Sequence, residues 1–589
     1  MSAQQLITEH IDQWTSTIKT KNPQGRGSSK KRELYGIKKL RELILELAVR
    51  GKLVPQDPND EPASVLLERI AAEKAQLIKD KKIKKQKLLP EITKEEKPFE
   101  LPTGWEWLRL TDAGHDWGQK TPEDEFKYID VGSINKELGI IINPKELSAN
   151  EAPSRARKIV KNGTIIYSTV RPYLLNIAVI NDDFYPEPIA STAFAILHPF
   201  SGLTASFIYR YLRSPAFITY VESVQTGIAY PAINDKQFFS GIVPVPPTSE
   251  QHRIVAKVDE LMALCDQLEQ QTESSLDAHK LLVDTMLSTL TDARDANELS
   301  DNWARLADHF DTLITTDYAV ELLKQTILQL AVMGKLVPQD PNDEPASELL
   351  KRIAAEKEQL VIDKKIKKQK PLPKASEEEK SFEVPNGWVS AYIPQVVASN
   401  KYAIKRGPFG SALKKAYFVA SGYKVYEQQH AINDDFYRGE YYVDESKFTE
   451  LSAFSVHPND LIISCSGTVG RVAVAPRDMQ PGIINQALLK ITLNERALTN
   501  QYFKILFPAF YMKTKTLNEL KGTAQKNMVS VDTLKKEPFP LPSLAEQHRI
   551  VAKVDELMTL CDQLKAQLNN AQTTQLHLSD ALVDRALNI

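Results

Sequence analysis

At 589 residues the chain is too long for one hydrophobic core and suits two or more domains. Its 42% hydrophobic and 25% charged composition is that of an ordinary globular protein, and a net charge of −2 excludes an overall cationic field, so any nucleic-acid contact must use clustered cations. Three cysteines (Cys265, Cys465, Cys561) without CxxC spacing disfavour a disulfide framework and a zinc site, and no apolar run approaches membrane-spanning length, so a cytoplasmic protein with no membrane partner is expected.

Residues 1–29 form a polar N-terminal extension ahead of a helical region over 30–101. There Ile37, Leu40, Ile44 and Leu47 fall three and four apart, which predicts a helix, and Gly51 stands where a helix-ending glycine belongs. The prolines of VPQDPNDEP forbid helix, and Ser64 is the candidate N-cap of a second helix. That helix runs into the lysine run Lys79–Lys87, either a solvated helix end or a phosphate contact. An acidic linker leads to Pro102 and a domain-sized insert over 102–248, where GTIIYSTV (Gly163–Val170) and NIAVI (Asn176–Ile180) read as strands.

A long helix then opens a central region over 249–384. Ile254, Val258, Leu261, Cys265 and Leu268 make the seam of a coiled coil. The second part of this region repeats the first. GKLVPQDPNDEPAS stands at Gly51–Ser64 and, unchanged, at Gly334–Ser347, an offset of 283 residues. A second insert occupies 385–543, with strands at DLIISCSG (Asp460–Gly467) and RVAVA (Arg471–Ala475). The chain closes over 544–589 with another seam: Ile550, Val554, Leu557, Cys561 and Leu564. EQHRIVAKVDELM recurs there at an offset of 296, so the extra 13 residues lie within the second insert. The fold class is α+β: two mixed domains separated by long helices. Matching seams favour the helices pairing as an antiparallel coiled coil with pseudo-twofold symmetry, against each seam packing on its own domain.

Phosphate loops, dinucleotide fingerprints, HExxH and the Asn/Asp-Pro-Pro-aromatic tetrapeptide of amino methyltransferases are all missing. What the inserts offer is loop chemistry suited to DNA, each loop also readable as a solvated turn. STVRPY supplies Ser168, Thr169, Arg171 and Tyr173; QTGIAYPAIN supplies Gln225, Thr226, Tyr230 and Asn234. KRGPFGSALKK supplies Lys405, Arg406, Ser411 and Lys414, with glycines that let backbone amides approach phosphates. SGTVGR supplies Ser466, Thr468 and Arg471, and KGTAQKN supplies Lys521, Thr523, Gln525 and Lys526. Arg, Lys, Asn and Gln are the side chains that read base edges.

Two variable domains, each entered by P-x-G-W and left through a Pro-rich segment into EQ-x-x-I, resemble the specificity subunit of type I restriction–modification systems. The residues are Pro102, Gly104, Trp105, Glu250, Gln251 and Ile254, and again Pro385, Gly387, Trp388, Glu546, Gln547 and Ile550. The long first repeated block looks most like the IB branch. The resemblance implies two target-recognition domains, each reading half of a split double-stranded DNA site, and helical repeats that dock two modification subunits for N6-adenine methylation. Two restriction subunits would add ATP-dependent cleavage. The subunit itself would be non-catalytic and hold no metal or cofactor, S-adenosylmethionine, ATP and Mg2+ serving the holoenzyme. The rival expectation is a duplicated coiled-coil scaffold that binds only proteins.

Overall fold

The computed structural model describes residues 8–21, 31–85, 89–366, 384–409, 412–510 and 528–588. It divides into two units, one of residues 1–275 with 570–589 and one of residues 276–569. The first long helix, Thr248–Asp292, begins in the first unit, and the second, Leu544–Leu587, begins in the other. Each ends in the unit where its counterpart starts.

In the first unit the helix Tyr35–Val49 carries the expected apolar face and stops at Gly51. The Lys52 amide donates to the Leu47 carbonyl at 2.9 Å and Gly51 takes a φ of 67°, which is a Schellman close. A Cβ on Gly51 would meet Pro102 Cγ at 2.5 Å, so glycine is needed for space as well as conformation. The next helix is Ala63–Lys79, and it corrects the expected cap: Pro62 precedes the first turn, Ser64 lies inside it, and no side chain caps it. The Ala63 amide is instead satisfied by the Gly104 carbonyl at 2.9 Å. A carbonyl forty residues downstream replaces a local hydroxyl, which is why a local cap signal misplaced the start.

The glycine of P-x-G-W thus closes a helix end, and its tryptophan makes the next link. Trp105 Nε1 donates to Glu250 Oε2 at 2.9 Å, with both residues buried. Gln251 Oε1 accepts from the Thr204 amide at 2.9 Å while its Nε2 donates to the Pro246 carbonyl at 3.0 Å. Arg253 pairs with Asp60 of the repeated QDPND at 2.6 Å. The strands Glu106–Arg109 and Ile242–Val245 pair antiparallel beside this junction, so the insert enters and leaves at one point.

The seam residues Ile254, Val258, Leu261 and Cys265 share one core with Ile37, Leu40, Ile44 and Leu47, and with Leu582 and Ala586 from the end of the second long helix; Leu268 packs against it half-buried. Seam therefore meets scaffold helix and far helix end, not the other seam. The apolar face of Tyr35–Val49 needs a partner, and the seam is its complement. Arg41 ties the same pair of helices by bonds to Asp266 and Glu269, each at 2.7 Å. The N-terminal extension also enters this core. Trp14, on the helix Ile11–Ser16, is fully buried, and Gln13 donates to the Gln575 carbonyl at 2.8 Å.

The insert holds two four-stranded sheets. One is antiparallel, in the order Ile177–Val179, Ile165–Ser168, Phe194–Pro199, Gly114–His115. The other is mixed, in the order Lys145–Leu147, Phe126–Ile129, Pro188–Ser191, Ala156–Ile159, with a parallel central pair. Leu66 and Ile70 of the repeated helix share the core beneath the first sheet with Ile165, Tyr167 and Phe200, which seats the insert on the frame.

The second unit repeats each link. Ala346 donates to the Gly387 carbonyl at 3.0 Å, Trp388 Nε1 to Glu546 Oε2 at 2.9 Å, and Arg549 pairs with Asp343 at 2.7 Å. Ile550, Val554 and Cys561 share a core with Val320, Leu323, Ile327 and Leu330 and with Val283, Leu287 and Leu290, while Leu557 and Leu564 pack against it half-buried. Its sheets have the same order: Val472–Val474, Leu461–Ser464, Leu488–Ile491, Ile404–Arg406, and Tyr442–Val443, Tyr423–Tyr426, Gly482–Ile484, Ser455–Val456. One link differs between the copies. Glu546 Oε1 accepts from Gln339 Nε2 at 3.2 Å, whereas buried Glu250 Oε1 has no partner among the described residues.

Cys265 is pushed up to about 11 by burial, so its thiol stays protonated and serves packing.

Trp105→Phe removes the only donor to Glu250 Oε2 and should cost about 2–3 kcal/mol, read as a lowered midpoint for one calorimetric transition. Adding Glu250→Leu should recover part of that loss, because no carboxylate is then left stranded. Burial raises both Glu250 and Glu546 above the ordinary glutamate value of 4.5, outweighing the indole bonds that pull them down. A raised folded-state value means stability present below 4.5 that is lost as pH rises through the folded value. The Glu250→Gln/Glu546→Gln double variant keeps both acceptors and should show a flatter decline in unfolding midpoint across that window.

Candidate nucleic-acid interface

In the first unit the loops after Ile165–Ser168 and before the helix Asp235–Ser240 lie side by side. The Ile233 amide donates to the Thr169 carbonyl at 2.9 Å, and the Arg171 amide to the Pro231 carbonyl at 2.8 Å. STVRPY and QTGIAYPAIN, 57 residues apart at their first residues, thus form one surface. The Arg171 guanidinium lies 4.8 Å from the centroid of the Tyr230 ring. Arg171 and Leu175 take positive φ values of 51° and 53°, strained for residues with a side chain, on either side of the turn Pro172–Leu174. Neither Ser168–Asn176 nor Gln225–Asn234 contains an acidic residue.

The expected contact residues divide here. Arg171, Tyr173, Thr226 and Tyr230 are exposed. Ser168 and Thr169 are buried, their hydroxyls donating to the Val170 and Ala193 carbonyls at 2.9 Å, so they shape the loop instead of presenting hydroxyls outward. Asn234 spends its side-chain oxygen on the Gln237 amide at 2.9 Å, capping the helix that follows. Gln225 is half-buried with its Oε1 enclosed and without a partner among the described residues. Ile228, fully exposed at the loop tip, was not singled out by sequence. An isoleucine between glycine and alanine carries no local signal of exposure.

In the second unit the corresponding rung is Met528 N–H to the Cys465 carbonyl at 2.9 Å. Cys465 Sγ also lies 3.7 Å from Met528 Sδ, and burial pushes the thiol up to about 11. Arg406 reaches this rung from the edge strand, its guanidinium 3.5 Å from the Met528 carbonyl and its buried Nε without a partner among the described residues. Lys405 leans over the Phe454 ring at 4.8 Å, turned from the rung. Lys414, Thr468 and Arg471 are exposed, and Ser466 is half-buried. Gly407 has a structural duty: a Cβ there would sit 1.8 Å from the Asn485 carbonyl oxygen, so its missing side chain serves strand packing. Ser411, Lys521, Thr523, Gln525 and Lys526 lie outside the described residues, as do parts of both lysine runs.

Among the described residues no cluster of His, Cys, Asp or Glu has the makings of a metal site, and no helix is long and apolar enough to cross a membrane. The surface is suited to contact through cations, aromatic rings and backbone. It lacks the paired acids and bases of a reaction centre.

The model of the type I restriction modification DNA specificity domain matches residues 102–278 and 409–572, taking in both loop pairs. The chain is 42% identical over its full length to the whole Escherichia coli EcoAI specificity subunit, and 41% identical to that of EcoEI, again over the whole of both chains. A chain of a solved type I R-M system aligns over 83% of this chain and 99% of its own, at 22% identity and a TM-score of 0.49. Full-length kinship to two DNA-specificity subunits sets aside a scaffold that binds only proteins. This chain belongs to the specificity subunits of type I restriction–modification systems, and within them to the IB branch of EcoAI and EcoEI.

Proposed function

We propose that each insert reads one half of a bipartite, asymmetric DNA site, and that the repeated frame docks two modification subunits. In this reading the chain is non-catalytic. N6-adenine methylation belongs to the modification subunits with S-adenosylmethionine. ATP- and Mg2+-dependent cleavage belongs to two restriction subunits. The observation that carries the reading is one fold used twice with different contents: both inserts keep the same strand order, and their loop chemistry differs above the rung. Phosphate contacts would position each insert and base-edge contacts would specify the sequence. Two copies of a docking surface on a duplicated frame suit two identical partners. EcoAI and EcoEI specificity subunits are named as parts of restriction enzymes, which supports the same assembly here.

Exchanging Pro102–Pro247 for the corresponding insert of a relative with a different target should change one half of the methylated sequence and leave the other intact. Mapping N6-methyladenine after exposing DNA to the assembled methyltransferase reads this directly, and a change in both halves would refute modular reading. Arg171→Ala should weaken binding by about 1–3 kcal/mol and relax discrimination within the first insert's half-site alone. A loss uniform over all sequences, with a salt slope shallower by about 1, would make Arg171 a phosphate contact instead.

A further inference from the structure

The tip of the first insert's second loop is built unlike a hydrogen-bonding reader. Thr226 and Ala232 exchange both backbone hydrogen bonds at 2.9 Å, closing the loop into a tight hairpin. Gly227, at a φ of 91°, makes the turn, and a Cβ there would press on the Tyr230 carbonyl oxygen at 2.8 Å. The enclosed residues are Gly227, Ile228, Ala229, Tyr230 and Pro231, which offer one hydroxyl as their whole side-chain polar inventory. Yet Ile228 is 104% exposed and Tyr230 68%, and Tyr173 at 51% and Val170 at 43% stand on the paired loop. A rigid apolar projection left in water has a surface to gain by entering a partner. Its acid-free surroundings and Arg171 fit a polyanion.

DNA offers apolar chemistry in two forms, the thymine methyl and the faces of unstacked bases. A methyl contact needs only a flat patch in the groove. A closed hairpin with an isoleucine standing clear of every neighbour has the form of a wedge, and isoleucine is among the residues that enter base steps. Enzymes that modify a base also turn it out of the stack, which leaves a gap to be filled. We propose that the 226–232 tip, led by Ile228, enters the base stack of the first half-site and fills the space left by the extruded base, with Tyr230 held beneath Arg171 as the stacking face beside it. The inference rests on the reading above, that this insert recognises a half-site whose adenine is methylated.

The test uses this chain assembled with its modification subunits and duplexes carrying 2-aminopurine at the adenine of the first half-site. Wild-type assembly should raise the fluorescence. Ile228→Ala should lower that rise and weaken binding to matched duplex about tenfold, the scale of an unstacking cost no longer met. The same variant should bind a duplex abasic at that position within about twofold of wild type, because the gap is already open. Ile228 touches no core, so the fold is not at stake, and abasic binding in the variant reports that directly. Equal losses on matched and abasic duplexes would overturn the wedge. So would a wild-type preference for thymine over uracil that Ile228→Ala abolishes, which would assign Ile228 to a methyl. Failure of the wild-type assembly to prefer any sequence would instead sink the half-site reading itself.

Discussion

A buried indole–carboxylate hydrogen bond lies under each insert, and the frame is arranged around it. A carboxylate withdrawn from water costs several kcal/mol unless its oxygens are met by donors. Trp105 meets one oxygen of Glu250, and Trp388 meets one of Glu546, at the same 2.9 Å. The tryptophan stands at the entry to the insert and the glutamate in the first turn of the long helix at its exit. Each bond therefore pins both ends of about 140 intervening residues to one place. The next residue of the exit motif, Gln251 or Gln547, then binds the insert's own backbone at Thr204 or Thr499. The following arginine returns to the repeated loop through Asp60 or Asp343.

That geometry accounts for what is repeated and what is not. Each frame contact demands one particular side chain: an indole donor, a carboxylate, an amide that both gives and accepts, a glycine with positive φ. Few substitutions satisfy all partners at once, so GKLVPQDPNDEPAS survives unchanged in both copies. The inserts face a looser demand. Their sheets need alternating burial and a closed edge, and Ile165–Ser168 and Leu461–Ser464 meet it with different residues. The same strand order therefore persists where the sequences share almost nothing.

The sequence was most legible where the chain explains itself locally. Helix Tyr35–Val49 and its closing Gly51 follow from spacing and from one residue's conformational freedom. It was least legible where a distant group supplies the missing partner. Ser64 looked like a cap because a serine before a helix usually is one, but the Gly104 carbonyl holds the first amide. The long-helix seams looked complementary to each other because they are identical. Burial decides otherwise, since the scaffold helix presents an apolar face that only the seam can cover. The loops show the same limit. Their place in the chain was visible, whereas the inward turn of Ser168 and Thr169 and the outward turn of Ile228 depend on backbone closure across segments far apart.

The rung between the two loops sets where variation can act. In one insert it is Ile233 to Thr169, in the other Met528 to Cys465, each a single backbone bond at 2.9 Å. A backbone bond is indifferent to side-chain identity, so the rung tolerates Thr or Cys, Ile or Met, and still fixes the loops. Beyond it the chemistry separates. The first insert raises an apolar hairpin braced by one arginine. The second brings Arg406 to the rung from an edge strand and leaves Lys414 and Arg471 exposed. Constant backbone below and free side chains above is the arrangement by which two halves of a target come to be recognised by different chemistry on one architecture. It places the capacity for new specificity in the few residues above the rung, where a substitution alters contact with the ligand and leaves the frame's buried bonds undisturbed.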